Sequence, residues 1–200
     1  MDRILKEIIV LTLVSTIIIK CECNKNCIQT NYNFSIGIKA YPDLDSIYIN
    51  DTVWLEIDES VFLNDISSGN SIDFSKARDL GSAIGFQEVI TNVQFRNAAN
   101  DFKYKLVTGT ETINTNPELF REYLFNETAG RYLFKIGIIP QQKGIYRLVV
   151  SNANNVIRKE GDCEKANFII DFRQTNQHFY LYPGGAGTPP GGNTYYFKVK

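Results

Sequence analysis

Hydrophobic and polar residues alternate with a period of two over much of the chain. The most regular example is the stretch 45–57, where Val53, Leu55 and Ile57 alternate with Trp54 and a glutamate. Successive side chains of a β-strand point to opposite faces, so this pattern predicts a bend that leads into a long strand with one buried face. β-Branched and aromatic residues dominate the stretch, as suits a half-buried pleated surface. We therefore predict that this strand forms the centre of an antiparallel sandwich.

The same alternation recurs along the chain and predicts further strands, separated by turns rich in Asn, Asp, Gly and Pro. About eight or nine strands joined by short turns favour a β-sandwich of the immunoglobulin-like type. For the segment 166–173 a short helix is the alternative, because Cys163, Ala166 and Ile170 also fit helical spacing. The predicted strands besides the central one are residues 31–40, 83–91, 102–108, 131–139, 145–151, 166–173, 179–182 and 194–199.

Two segments depart from this alternation and predict helical structure. Pro117–Phe125 carries an apolar stripe at helical spacing, with Asn116 as a capping residue and proline in the first turn. Ser75–Leu80 fits one helical turn, within a segment 58–82 that we interpret as an insertion at the sandwich edge. The predicted fold class is therefore mainly β, an immunoglobulin-like antiparallel β-sandwich with one helical insertion, preceded by an N-terminal signal segment.

The N-terminus has the pattern of an export signal rather than of a folded element. An apolar run from Ile8 to Ile19 follows two basic residues, and Lys20 and Cys21 come next. The run is shorter than the roughly 20 apolar residues of a membrane-spanning helix, and it fits the hydrophobic region of a secretory signal. A cysteine directly after such a run is typical of a bacterial lipoprotein signal, so we predict lipidation at Cys21. Plain secretion and an uncleaved anchor are the alternatives.

These observations divide the chain into three parts. Residues 1–20 are predicted to be a signal peptide, residues 21–30 a tether and residues 31–200 the β-sandwich domain. If Cys21 is lipidated, its acyl chains supply the affinity for the membrane and the domain itself stays soluble. We expect the protein in the cell envelope as an outer-membrane lipoprotein, with a secreted or periplasmic form as the alternative.

The remaining cysteines predict a disulfide, because export implies an oxidising compartment. We predict that Cys27 pairs with Cys163, which would tie the start of the domain to a late strand. In the chain-entropy model the closure of so long a loop stabilises by roughly 4–5 kcal/mol. A local bridge between Cys23 and Cys27 is the alternative. A zinc site is disfavoured, because no paired C-x-x-C motif or nearby histidine supports it.

Composition and charge exclude few functions but argue against nucleic-acid binding. The chain has 21 basic and 22 acidic residues, and its net charge is −1. No basic excess is present to neutralise phosphates, so we expect no nucleic-acid partner. Aromatic residues make up 12% of the chain, which is enough to build a substantial core.

The residues that favour a binding site lie near the C-terminus. His178 is the only histidine, and no nucleophile motif such as G-x-S-x-G accompanies it, so no catalytic residue is predicted. The aromatic residues around it suggest a platform for sugar or peptide, although aromatic residues in strands are first of all core residues. The hypothesised ligand-binding residues are His178, Tyr180, Tyr182 and Tyr195.

Two further patterns resemble binding sites but favour turns and loops. Asp43, Asp45 and Asp51 offer oxygen ligands for Ca²⁺, but their spacing matches no EF-hand loop and fits turn residues. The glycine- and proline-rich stretch 183–192 lacks the Gly-Lys-Ser/Thr ending of a phosphate loop and favours a surface loop. No metal and no cofactor are predicted.

The whole pattern resembles a loose class of envelope lipoproteins of Gram-negative bacteria. The resemblance is carried by the signal end at Cys21, the stretch 45–54, the Cys163 segment and the segments 176–178 and 195–199. It implies an immunoglobulin-like fold on the cell envelope, and it implies no activity and no catalytic residues.

The sequence thus favours a lipid-anchored, noncatalytic β-sandwich with a structural or protein-interaction role in the envelope. Its expected partners are the membrane, through the lipid anchor, and an envelope protein or a glycan. The alternative function is a carbohydrate- or peptide-binding module that uses the C-terminal aromatic residues. A hydrolase is a third class, for which no pair of carboxylates stands out.

Overall fold

In the computed structural model, which describes residues 29–158, 161–172, 175–183 and 191–200, β-strands are the main secondary structure and turns and loops join them. Two short 3₁₀-helices, Ala99–Asp101 and Phe179–Leu181, are the helical elements of the described residues. The strands, in chain order, are β1 Thr30–Gly37, β2 Lys39–Tyr41, β3 Ser46–Ile47, β4 Val53–Ser60, β5 Phe62–Asn64, β6 Ser71–Asp73, β7 Gly81–Val89, β8 Phe95–Asn97, β9 Phe102–Thr108, β10 Thr110–Glu111, β11 Phe120–Leu124, β12 Asn126–Thr128, β13 Arg131–Pro140, β14 Gly144–Val150, β15 Ala153–Arg158, β16 Gly161–Asp171 and β17 Thr194–Val199.

Two large sheets face each other across a common core. The five-stranded sheet has the order β12–β13–β4–β2, and β9 pairs with β13 beside β12. The seven-stranded sheet has the order β10–β11–β7–β14–β17–β3, and β8 pairs with β7 beside β11. Phe102 of β9 lies 5.6 Å from Phe86 of β7 and 4.9 Å from Tyr146 of β14, measured between ring centroids. These contacts join the two sheets, so the predicted sandwich character is confirmed.

A third sheet contributes buried side chains to the same core. It has the order β1–β16–β15, and β1 runs parallel to β16. The chain passes from this sheet to the five-stranded sheet at Ile38, between β1 and β2, where the amide of Ile38 donates to the carbonyl of Asp171 at 2.7 Å. One nearly continuous extended segment therefore serves two sheets. The expectation of a purely antiparallel fold is wrong, because β17 and β3 also pair in parallel.

The predicted central strand is divided between two sheets. β3 lies beside β17 in the seven-stranded sheet, whereas β4 lies between β13 and β2 and is antiparallel to both. The break falls at Asn50, whose φ of +70° turns the backbone away from an extended path. Val53, Leu55 and Ile57 are buried as predicted.

The helix predicted for Pro117–Phe125 is wrong. Residues 117–119 form a turn, and the following residues form β11, which pairs antiparallel with β7. As a strand, β11 places Tyr123 in the core, 5.4 Å from the ring of Phe134 on the opposite sheet. The spacing of apolar residues fits a helix, but pairing and core contacts outweigh this local preference.

The segment 58–82 is more than an insertion at the edge, and its predicted helical turn Ser75–Leu80 is absent. The segment contains the end of β4, the hairpin β5–β6 and an isolated bridge between Ala77 and Arg158. Phe74 is fully buried, and its ring centroid lies 5.3 Å from that of Phe34 and 5.7 Å from that of Phe168. The ring of Phe74 thus packs on the third sheet, and its carbonyl accepts a hydrogen bond from the hydroxyl of Tyr132 on β13.

The predicted signal, the tether up to residue 28, Cys21 and Cys27 lie outside the described residues. Cys163 of β16 is disulfide-bonded, but the pairing with Cys27 stays a prediction. The segment 166–173, for which a short helix was the alternative, belongs to β16 as far as Asp171. No helix of the described residues is long and apolar enough to cross a membrane.

We expect Gly81→Ala to destabilise the fold, because a Cβ at this position would lie 2.1 Å from the carbonyl oxygen of Tyr123 on β11. The strands must separate to admit it, which costs about 1–3 kcal/mol of the free energy of unfolding. Gly85→Ala on the same strand is the matched control, since its nearest neighbour would be 3.6 Å away. Urea denaturation of both variants measures the difference, and equal stability would contradict the close approach of β7 and β11.

Candidate functional site

The structure places the four hypothesised ligand-binding residues close together but buries two of them. Tyr195 is fully buried and His178 is 2% exposed, whereas Tyr180 is 65% exposed and Tyr182 is half-buried. A ligand would meet only Tyr180 and Tyr182 at the surface of this conformation. Ligand binding by these residues stays a prediction.

His178 is buried because its segment covers the edge of β17. The amide of Tyr196 donates to the carbonyl of Gln177 at 3.1 Å, so residues 177–178 continue the edge that β3 begins. The ring of His178 lies between two acceptors, with Nδ1 3.1 Å from the carbonyl oxygen of Tyr196 and Nε2 3.4 Å from Oδ1 of Asp43. These contacts assign the only histidine to the closure of a sheet edge.

Two tyrosines of this cluster titrate above their ordinary range for different reasons. The hydroxyl of Tyr180 donates to Oδ2 of Asp45 at 2.6 Å, and this hydrogen bond raises the pKa of Tyr180 and lowers the pKa of Asp45. Burial raises the pKa of Tyr195. Both hydroxyls therefore stay protonated near neutral pH, so neither is suited to act as a base.

The three aspartates near residues 43–51 have hydrogen-bond and ion-pair partners within the chain. Asp51 accepts a hydrogen bond from the amide of Tyr48 at 2.8 Å, and Asp43 and Asp45 face His178 and Tyr180. The described part of the chain contains no cluster of three or more His, Cys, Asp or Glu residues that fits a metal ion.

Tyr182 connects the C-terminal cluster to the outer face of the seven-stranded sheet. Its ring is nearly parallel to that of Phe95 on β8, with centroids 6.3 Å apart. The guanidinium carbon of Arg147 on β14 lies 3.4 Å from the centroid of the Phe95 ring. Arg147 Nε also donates to Oε1 of Gln87 at 2.5 Å. The arginine is thus held by stacking and by one hydrogen bond, which fixes the direction of its planar group.

Arg147 borders a groove of about 530 Å³, which we call the Arg147 groove. The register aligns Arg147 with Gln87 and Asn97 across three strands, and the next row aligns Val149 with Gly85. Because Gly85 has no side chain, the groove is deeper at this position. The full lining consists of Ala83, Gly85, Gln87, Asn97, Leu119, Phe120, Arg147, Val149, Val150, Ser151 and Asn193.

Arg147 differs from other arginines of the described residues in its electrostatic partners. Arg96, Arg121 and Arg131 each form an ion pair with a carboxylate. Within the described part of the chain no carboxylate pairs with Arg147, and its two terminal nitrogens have no protein acceptor. An oriented guanidinium without a carboxylate partner is suited to bind an anionic group of a ligand through two parallel hydrogen bonds.

The sequence analysis did not predict Arg147 as a functional residue, because the sequence around it is that of an ordinary alternating strand. An arginine between Tyr146 and Leu148 in an alternating strand indicates only that it points away from the core. The pairing of β14 with β7, and of β7 with β8, brings Gln87 and Phe95 to it. These residues are 52 or more positions away in sequence, and no local pattern reports such pairing.

We expect His178→Ala to lower the free energy of unfolding by about 1–3 kcal/mol, because the buried carbonyl of Tyr196 loses its partner. Tyr180→Phe removes an exposed hydrogen bond nearby and should change stability little. Chemical denaturation of both variants tests this. A His178→Ala protein as stable as the parent would contradict the structural role of this ring.

Two solved structures resemble the chain at low sequence identity. No family model matches the chain, and no curated protein matches it. The reeler domain of human F-spondin matches 90% of this chain and 100% of its own, with 9% identity and a TM-score of 0.41. The CupB6 tip adhesin from Pseudomonas aeruginosa matches 72% of this chain and 42% of its own, with 13% identity and a TM-score of 0.22. Both TM-scores are below 0.5, so inferences on function depend on the site itself.

Proposed function

We propose that the protein is a noncatalytic β-sandwich that binds an extended, carboxylate-bearing segment of a partner protein in the Arg147 groove. The observation that carries this proposal is an oriented arginine, stacked on Phe95 at 3.4 Å, that no carboxylate of the described residues neutralises. The absence of catalysis is part of the proposal. It is supported by the engagement of the only histidine, His178, in edge closure.

The lining of the groove favours peptide as the ligand. The amide side chains of Gln87, Asn97 and Asn193 border it, and such groups can donate to and accept from a peptide backbone. Leu119 is 37% exposed and borders the same groove, which offers apolar contact to a side chain. The anionic group of the ligand would meet Arg147, and its neighbouring residue would lie over the floor at Gly85.

We infer that the sandwich is immunoglobulin-like in its strand order. The order β2–β4–β13–β9 in one sheet faces the order β7–β14–β17 in the other. This is the arrangement of strands A, B, E and D against C, F and G in the immunoglobulin fold. The parallel strand β3 beside β17 adds one further edge strand.

We further propose that the protein is exported and held at the cell envelope by lipid on Cys21. The apolar run that leads to this cysteine supports the proposal. The register of β1 with β16 supports a disulfide between Cys27 and Cys163. Thr30 lies beside Glu164 in parallel strands, so the start of β1 is next to Cys163.

Selection of random peptides displayed on phage against the immobilised protein tests the proposed groove. We expect enriched peptides to contain Asp or Glu, and we expect Arg147→Gln to weaken their binding about tenfold or more, because a charge-assisted hydrogen bond is lost. Arg147→Lys keeps the charge but loses the planar fork, so it should restore only part of the affinity.

Arg131→Gln is the matched control, since Arg131 is an exposed arginine of the other large sheet and is paired with Asp58. Its binding of the selected peptides should equal that of the parent. Selected peptides without acidic residues, or equal binding to the Arg147→Gln protein, would overturn the proposal. Thermal melting of each variant establishes that the fold is retained.

Intact mass of the protein isolated from membranes of a Gram-negative host tests export and both cysteine proposals. We expect a chain that begins at Cys21 and carries acyl groups, and that gains the mass of two hydrogens on reduction. Cys21→Ser should abolish acylation, and Cys163→Ser should abolish the change on reduction. A chain that retains Met1 would contradict export, and a peptide map that joins Cys163 to Cys23 would contradict the predicted pairing.

A further inference from the structure

The outer face of the five-stranded sheet carries an aromatic surface surrounded by lysines. Tyr41, Trp54, Gly137 and Lys105 are aligned across β2, β4, β13 and β9 by the strand registers. The next row aligns Lys39, Glu56 and Lys135 across three of these strands. We call the surface formed by these two rows the Trp54 face.

Gly137 lets the Trp54 ring lie against the sheet. A Cβ at Gly137 would lie 3.0 Å from the six-membered ring of Trp54 and 2.9 Å from the side chain of Thr52. The ring therefore occupies the space that any other residue would fill. Trp54 and Tyr41 are both half-buried, so their rings are supported by the sheet and still accessible from outside.

The lysines give the Trp54 face a positive charge at the rings. The Nζ atoms of Lys105 and Lys135 lie 5.8 Å and 5.5 Å from the centroid of Trp54, and Lys135 lies 5.3 Å from that of Tyr41. Lys39 is exposed in the second row, and Lys103 is exposed next to Lys105 on the same side of β9. Two cations at one aromatic ring create a potential that favours anionic groups.

The carboxylates of the Trp54 face are concentrated around Lys39, away from the Trp54 ring. Glu56 lies 3.5 Å from Lys135 and is the acidic member of the two rows. Asp58, one row further along β4, is already paired with Arg131. Lys39 borders a cavity with Glu56, Asp58 and Glu59, so the excess of positive charge lies at the Trp54 ring, on Lys105, Lys135 and the neighbouring Lys103. This part of the surface is complementary to a ligand with several negative charges.

From this geometry we propose that the Trp54 face binds an acidic polysaccharide, through pyranose rings on Trp54 and Tyr41 and through carboxylate or sulfate groups on the lysines. The faces of aromatic rings are electron-rich and attract the C–H groups of a sugar ring. A sugar with an acidic substituent satisfies the rings and the lysines at once. An acidic peptide would satisfy the lysines alone. This site shares no residue with the Arg147 groove.

Trp54 is the only tryptophan of the chain, so its fluorescence reports on this site alone. Titration of the full chain with oligogalacturonate should change the emission in a saturable manner. Fully methyl-esterified oligogalacturonate has the same rings without the charge and should bind much more weakly. Raising the salt concentration should weaken the binding of the charged form, because the lysines are at the surface.

Lys105→Gln should weaken binding of oligogalacturonate about tenfold, as expected for the loss of a charge-assisted hydrogen bond. Lys198→Gln is the matched control, since Lys198 is an exposed lysine of the other large sheet. Three results would overturn the proposal: no change in emission, equal affinity for the methyl ester, or stronger binding of poly-glutamate than of oligogalacturonate. The Arg147→Gln protein, in which peptide binding should be weakened, should bind oligogalacturonate as tightly as the parent does.

Discussion

The contact between Phe102 and three rings of the opposite sheet is the interaction on which the rest of this fold depends. Phe102 meets Phe86, Tyr146 and Phe197 at centroid distances of 4.9–6.2 Å. These rings come from β7, β14 and β17, so a single residue of β9 joins three neighbouring strands to the five-stranded sheet. Burial of such side chains contributes about 1.5–3 kcal/mol each, which is the main favourable term for a fold of this kind.

The packing of this core determines which side chains lie on the outer faces of the two sheets. Burial of Tyr146 and Leu148 leaves Arg147 on the outside of β14, and burial of Val53 and Leu55 does the same for Trp54 on β4. A slip of one residue in either strand would exchange these faces, and it would bury a charge. The positions of both proposed binding surfaces are therefore fixed by hydrophobic packing on the far side of each strand.

Alternation along the chain predicted the buried faces well because it is a local property. The buried set of β4 and the strands around residues 83–91, 131–139 and 145–151 are confirmed. The helix predicted for 117–125 failed because its apolar spacing fits two structures, and the pairing of β11 with β7 selects the strand. The break at Asn50 was not predicted either, because a short polar segment occurs both in straight strands and in turns.

Some residues of the candidate sites could be predicted from local sequence patterns, whereas others are brought together only by strand pairing. Tyr182 was hypothesised as a ligand-binding residue from its aromatic neighbourhood, and ligand binding by it stays a prediction; in the structure its ring stacks on Phe95, which Arg147 also contacts. Arg147 was not predicted, because its partners Gln87 and Phe95 reach it through strand pairing. Trp54 was recognised as a feature of the central strand, but its role as a surface depends on Gly137 and Lys105, which only the register places beside it.

The arrangement of the two surfaces has a consequence for how ligands would act together. The Arg147 groove and the Trp54 face are on opposite outer sides of the sandwich, with the core of about 10 Å between them. Packed cores of this kind do not deform continuously, and the two sites share no side chain. Their binding free energies should therefore add, as they do for distant independent sites. Occupation of one proposed site would therefore leave the other available, and the affinity of each would be set by its own sheet.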